Sequence, residues 1–155
     1  MNRRNFLRST ATLAAAASNT PLLEAGYSST TSYHAFATDD NPPGRQFSYA
    51  QGAQTSISRW NQHAQAQPKL PHFPEVPVGW DNSPRYGNRA HICVNRTADQ
   101  FERLLVAAKH FIANQKSTPP AIYMGAWNEW TEDHYLLPDE LYGYSYLEAI
   151  RRQFA

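Results

Sequence analysis

The stretch from Ala121 to Glu140, AIYMGAWNEWTEDHYLLPDE, constrains this chain more than any other. It opens on an apolar run with the pattern of a buried strand, Ile122-Tyr123-Met124-Gly125-Ala126-Trp127. It then breaks at once into Asn128-Glu129-Trp130-Thr131-Glu132-Asp133-His134-Tyr135. A buried strand that discharges carboxylates and indoles at its C-terminal end is how α/β barrels build active sites. Paired carboxylates beside aromatic faces also meet the needs of sugar chemistry. One group protonates a leaving oxygen, the other acts as base or nucleophile, and apolar platforms receive the pyranose rings. The same residues also suit a surface loop with ordinary acidic side chains, and spacing alone leaves both readings open. Glu129 and Glu132 diverge in an extended strand, whereas a tight turn brings both to one cavity.

Around this stretch the chain alternates strand and helix. Gly26 to Tyr33 is rich in Thr and Tyr, with strand propensity, and Asp39 to Arg45 is a loop by its Pro and Gly content. Tyr49, Ala53, Ile57, Trp60 and Ala64 recur at helical spacing between Ser48 and Gln65. After a Pro-broken segment, Val76-Pro77-Val78 is a short strand, weakened by Pro77. It leads into Gly79-Trp80-Asp81-Asn82-Ser83-Pro84-Arg85. Arg89 to Asn95 reads as irregular. Thr97 and Gln100 form a capping box for a helix whose buried stripe is Phe101, Leu104, Leu105, Ala108, Phe111 and Ile112. Ser117 to Pro120 stops that helix. A last helix, about Tyr144 to Phe154, turns Leu147 and Ile150 inward. Strands alternating with helices predict an α/β fold with parallel strands and helical crossovers.

The net charge of +1 excludes the strong field expected of a nucleic-acid or membrane-surface binder. Aromatic residues make up 13% of the chain, with nine Tyr and four Trp, which suits a carbohydrate-facing surface or an aromatic core. The single cysteine, Cys93, excludes an internal disulfide, and no Cys/His spacing reads as a zinc site. Only His134 of the scattered histidines falls beside the carboxylates, and no metal or cofactor is expected. No run approaches the ~20 apolar residues that span a bilayer. At the N-terminus, Asn2-Arg3-Arg4-Asn5-Phe6-Leu7-Arg8 and the Ala-rich stretch from Ala11 to Ala17 read as a twin-arginine leader. The expectation is a leader over 1–17 and a domain over 18–155, exported by the twin-arginine machinery to the periplasm or outside a bacterial cell.

GAWNEWTEDHYLLPDELYGYSYLEAI resembles the closing segment of the glycoside hydrolase family 99-like, or WbsX-like, domain. The earlier GWDNSPR is similar to that family's GWDNTPR signature. The resemblance runs from about Glu24 to the C-terminus and is strongest from Val78. It implies a (β/α)8 TIM barrel. Such a barrel takes about 250 residues, so this length implies a partial barrel of three to four C-terminal βα units. It also implies Glu129 as base and Glu132 as general acid, in a retaining hydrolysis of O-glycosidic bonds. There the base acts on the sugar's own 2-hydroxyl and a 1,2-anhydro sugar forms. Trp80, Asp81, Asn82, Arg85, Trp127, Asn128, Trp130 and Tyr135 are then candidate glycan-binding residues, and Tyr33 and His34 can reach the same pocket. Each has a plainer reading, as a hydrogen-bonded WDN turn, a structural ion pair for Arg85, or packing for the aromatics. Asp133 stands where the family usually has Gly, and Leu137 where it usually has Glu. Two further readings stay open: a non-catalytic sugar-binding fragment, and a role in surface-polysaccharide biosynthesis. The chain shows no Gly-rich loop or paired-Asp site for a nucleotide sugar.

The leader reading has a direct test. Replacing Arg3 and Arg4 with Lys should block twin-arginine export of a reporter fused to residues 1–17. Undiminished export of the Lys variant counts against it.

Overall fold

The computed structural model describes residues 20–33, 36, 46–66, 69–115 and 120–155. The leader, His34, the Asp39–Arg45 loop and the helix stop at Ser117 to Pro119 therefore lie outside the described residues. A one-and-a-half-turn helix α1 (Thr20–Glu24) precedes strand β1 (Thr30–Thr31). Strand β2 (Gln46–Ser48) then runs directly into helix α2 (Tyr49–Ala66). Strands β3 (His72–Phe73) and β4 (Glu75–Pro77) follow, then a single-turn helix α3 (Ser83–Tyr86) and strand β5 (Ile92–Val94). Helix α4 (Ala98–Gln115) leads to strand β6 (Tyr123–Gly125). A small hairpin, β7 (Asn128–Glu129) and β8 (His134–Tyr135), precedes the last helix, α5 (Ser145–Phe154).

The strands pair in twos: β1 with β3, β2 with β5 and β4 with β6 in parallel, and β7 with β8 antiparallel. Parallel pairs joined through α2 and α4 are what alternating strand and helix patterns produce. The ladders made by β3 and β4 are short for a chemical reason. His72 to Pro77 is one extended run, but Pro74 and Pro77 have no N–H to give. Pro74 still accepts from the Tyr123 N–H at 3.0 Å, and the Val78 N–H reaches Gly125 O at 3.3 Å. Among the described residues these pairs do not close into a barrel, and the arrangement is mixed α/β. The segment expected to be irregular contains β5, whose Cys93 N–H donates to Trp80 O at 2.6 Å. Its Ile-Cys-Val sequence is strand-forming but too short to stand out against its polar neighbours.

The helices behave largely as their patterns predict. Phe101, Leu104, Leu105 and Ala108 are buried, and Phe111 packs half-buried at the edge of the same core. The Thr97 hydroxyl accepts from the Gln100 N–H at 3.2 Å. The Gln100 side chain meets that hydroxyl instead of the Thr97 N–H, so only half of the capping box forms. In α5 the buried residues are Tyr146 and Ala149, with Leu147 and Ile150 flanking them. The aromatic Tyr146 wins the central position by packing edge-on against Phe101 at 5.3 Å. Trp60 and Tyr49 of α2 are fully buried, and the Tyr49 hydroxyl donates to Pro77 O at 2.8 Å. Full burial of large side chains like these contributes on the order of 1.5–3 kcal/mol each. Burial also pushes the Cys93 thiol up to about 12, so it stays a protonated, apolar core group.

His72 is buried, stacked on His63 at 4.5 Å, and hydrogen-bonded to Thr30 at 3.0 Å. Burial, helped by His63, pushes His72 down to about 4 from 6.5. The unfolded chain therefore takes up this proton first. The stability that His72 contributes is complete above pH 6.5 and is lost as pH falls from there toward 4. The unfolding midpoint should drop by several degrees between pH 7 and pH 4.5, read by circular dichroism melts across pH. His72→Gln should reduce that slope by the His72 share, with buried His134, also pushed down to about 4, supplying the remainder.

Candidate active site

The segment after β6 folds back on itself. β7 and β8 pair through Glu129↔His134, with a 3-10 turn at Trp130–Glu132 between them. Asp133 closes the turn in the left-handed region at φ 50°, which costs a non-glycine residue energy but is tolerated best by Asp and Asn. The Ala126 N–H donates to His134 O at 3.3 Å, and the Leu136 and Leu137 N–H groups both donate to Trp127 O. The tight turn needed to bring two carboxylates three residues apart to one side is therefore present.

Arg85 is where they meet. Its Nη1 donates to Glu132 Oε1 at 2.6 Å and its Nη2 to Glu129 Oε1 at 3.1 Å. The same Nη2 reaches the Thr131 hydroxyl at 2.7 Å, and that hydroxyl donates to Glu129. From β1's end the Tyr33 hydroxyl donates to Glu132 Oε2 at 3.0 Å. Burial, then the Glu132 hydrogen bond, pushes the Tyr33 phenol up to about 12, so it remains a donor. The Glu132 side chain is 10% exposed and that of Glu129 is 34% exposed. One carboxylate is sunk behind Arg85 and Tyr33, and the other is open to the cleft.

The GWDNSPR segment joins the same site through its backbone: the Asp81 N–H donates to Glu132 O at 2.7 Å. Its other polar side chains are spent locally. Asp81 Oδ1 accepts from the Ser83 N–H at 2.8 Å, and Asn82, buried, accepts from the His91 N–H at 2.9 Å. Trp80 is buried and packs edge-on to His134 at 5.8 Å. Of the sugar-binding candidates in this segment, only Arg85 faces the carboxylates. In this structure Trp80 serves the core, and Asp81 and Asn82 hold the turn. Trp127 and Trp130 are 56% and 51% exposed, and Trp130 lies over Tyr135 at 4.1 Å. Asn128 is exposed beside them in β7.

Two features escaped the sequence reading. Beneath the turn, Arg96 donates to Asp133 O at 3.0 Å and to Asp133 Oδ1 at 2.8 Å, with its side chain 6% exposed. Its guanidinium also lies over the rings of Tyr135, Tyr142 and Tyr146 at 4.6–5.8 Å. Deeper in, Glu75 Oε1 stands 3.6 Å from His134 Nε2, both buried. Burial pushes His134 down to about 4, so it is neutral near pH 7. Among the described residues no three His, Cys, Asp or Glu side chains gather as a metal site, and no helix is long and apolar enough to cross a membrane.

With this geometry in view, comparisons place the chain among known proteins. Residues 6–150 match the family described as Glycosyltransferase WbsX. Two relatives, each described as uncharacterized protein WxcX, come from two strains of Xanthomonas campestris pv. campestris. Each is 35% identical over 81 residues, covering 52% of this chain. The match spans only 12% of either relative's length. No solved structure matches significantly. A family match over nearly the whole chain, including both the Arg85 segment and the paired glutamates, settles membership: the chain belongs to the WbsX family.

Proposed function

We propose that this chain binds and acts on a glycan as part of a carbohydrate-active, polysaccharide-related protein. The observation that carries the reading is the convergence of Glu129 and Glu132 on one guanidinium, on the turn that also exposes Trp127 and Trp130. Indole faces receive the apolar face of a sugar ring, and the carboxylates beside them supply acid and base. In the reaction, Glu129, the more open group, takes the proton of the sugar's 2-hydroxyl. That oxygen attacks C1 as Glu132, which takes a proton from solvent once the sugar has displaced Arg85 from it, gives that proton to the departing oxygen, leaving a 1,2-anhydro sugar. Water then attacks C1 and passes its proton to Glu132, while Glu129 returns the first proton to the 2-oxygen. Arg85 lies between the two carboxylates, so a sugar entering there displaces part of its fork. In this proposal the parallel pairs and their helices are units of a (β/α)8 barrel, and the protein works outside the cytoplasm.

The family's description as a glycosyltransferase supports a second reading, a role in building polysaccharide. The same chemistry serves it if a sugar hydroxyl replaces water at C1, giving a longer glycan in place of a free reducing end.

The test starts from binding, because it needs only this surface. On an array of bacterial oligosaccharides, the Trp127→Ala, Trp130→Ala double variant should lose roughly tenfold or more in retention, stacking on each ring contributing about 1 kcal/mol. Where turnover is detected, Glu129→Gln and Glu132→Gln should each lower it about 10²–10⁴-fold. Product analysis separates new reducing ends from lengthened chains. Retention unchanged in the double Trp variant, or turnover indifferent to both Gln variants, defeats the reading.

A further inference from the structure

We propose that Arg96 is the positioning residue of the carboxylate turn: through Asp133 it fixes the backbone from which Glu129 and Glu132 reach Arg85. The inference rests on reading those two glutamates as the working pair. Asp133 follows Glu132 directly and occupies a left-handed conformation at φ 50°. A residue there persists only when its surroundings over-determine it. Arg96 does so with two separate donors, one to the Asp133 carbonyl and one to its carboxylate, at 3.0 and 2.8 Å. A charged hydrogen bond from a guanidinium buried on its own side is worth more than one between two fully exposed groups.

Three further observations make Arg96 a built feature. Asn95, immediately before it, also has positive φ, at 59°, so the chain makes an unusual turn to leave β5 and deliver this side chain. Arg96 is then flanked by the Tyr135, Tyr142 and Tyr146 rings, with the Tyr135 hydroxyl 3.3 Å from its Nη2. Across from it stands Gly79, where an added Cβ would lie 2.5 Å from Arg96 Nη1 and 2.6 Å from Asp133 O. The space at Gly79 is thus taken by the Arg96–Asp133 contact. Two residues further on, the Asp81 N–H holds Glu132 O at 2.7 Å. The end of the turn is therefore held by two neighbouring contacts, Arg96 on Asp133 and the Asp81 N–H on Glu132. Arg96 touches neither glutamate, so it acts through Asp133. Lys cannot replace it, because a single ammonium lacks the planar fork that serves a carbonyl and a carboxylate at once while lying on aromatic faces.

Cleavage by a Glu-specific protease reads the turn directly, since Glu129 and Glu132 are themselves the cut sites. In Arg96→Lys, at a temperature where circular dichroism shows the fold intact, cleavage after Glu129 and Glu132 should rise roughly tenfold, the loss of one charged hydrogen bond. Cleavage after Glu102, in α4 and away from the Arg96 contacts, should stay within about twofold of the parent chain. Asp133→Asn keeps a residue that tolerates positive φ and removes only the charge. It should loosen the same two sites if Arg96→Lys fails to fold. Where the parent chain retains oligosaccharides on the array, Arg96→Lys should retain them more weakly by a similar factor. Unchanged cleavage at Glu129 and Glu132, equal acceleration after Glu102, or full glycan retention by a loosened turn overturns the proposal. A parent chain that retains no glycan defeats the functional reading instead, and the protease pattern still decides the role of Arg96.

Discussion

The contact between Arg96 and Asp133 is the interaction on which the site depends. It ties three separate parts of the chain: the exit of β5, the turn between β7 and β8, and the aromatic entry to α5. Asp139 extends the tie, accepting from the Tyr135 hydroxyl at 2.6 Å and from the Leu141 and Tyr142 N–H groups. Burial opposes the charge on Asp139. The Tyr135 hydrogen bond and the two N–H groups outweigh that and hold its carboxyl below the usual carboxylate range. At Asp133 the balance runs the other way, and burial pushes the carboxyl above its usual range despite Arg96. Arg96 is the neighbour that works against that rise, so the guanidinium and the burial of Asp133 oppose each other at the same carboxyl.

The two arginine clusters differ in a way that suits their places. Arg96 is almost wholly buried and meets a single carboxylate. Arg85 is 46% exposed and is shared by two. The Arg85–Glu129 pair is exposed on both sides, and such pairs are worth little and exchange readily, so Arg85 can yield there to an incoming group. The inner pair cannot break without leaving a charge stranded. A rigid support beneath a labile contact is the usual requirement of a binding site.

The helices and the paired glutamates were legible in the sequence because their signals are local. A stripe such as Phe101, Leu104, Leu105 and Ala108 repeats with the helix, and Glu129 and Glu132 sit in a short polar break after an apolar run. What stayed hidden depends on distant partners. Arg96 looks like any loop arginine until Asp133, 37 residues on, is placed beside it. Glu75 looks like a surface acid between prolines, yet it lies buried next to His134. Trp80 and Asn82 belong to a conspicuous motif, but the fold spends both on packing and on the turn. The ends of the ladders stayed hidden as well, since nothing local in Gly26–Tyr33 or Ile122–Trp127 marks the two- and three-residue strands that form there. Asp133 stands out in the sequence as a departure from the family's Gly; its left-handed backbone and the guanidinium that holds it are visible only in the fold.

Gly79 has a consequence for how chains of this kind can change over time. Its lack of a side chain leaves room for the Arg96 and Asp133 groups that crowd against it. Any larger residue at 79 requires a shorter one at 96 or a different backbone at 133, and a glycine at 133 relaxes the demand for a carboxylate partner there. The three positions lie far apart in the chain but share one small volume. Substitutions among them are expected to be inherited in combination, so an accepted change at one leaves a trace at the other two.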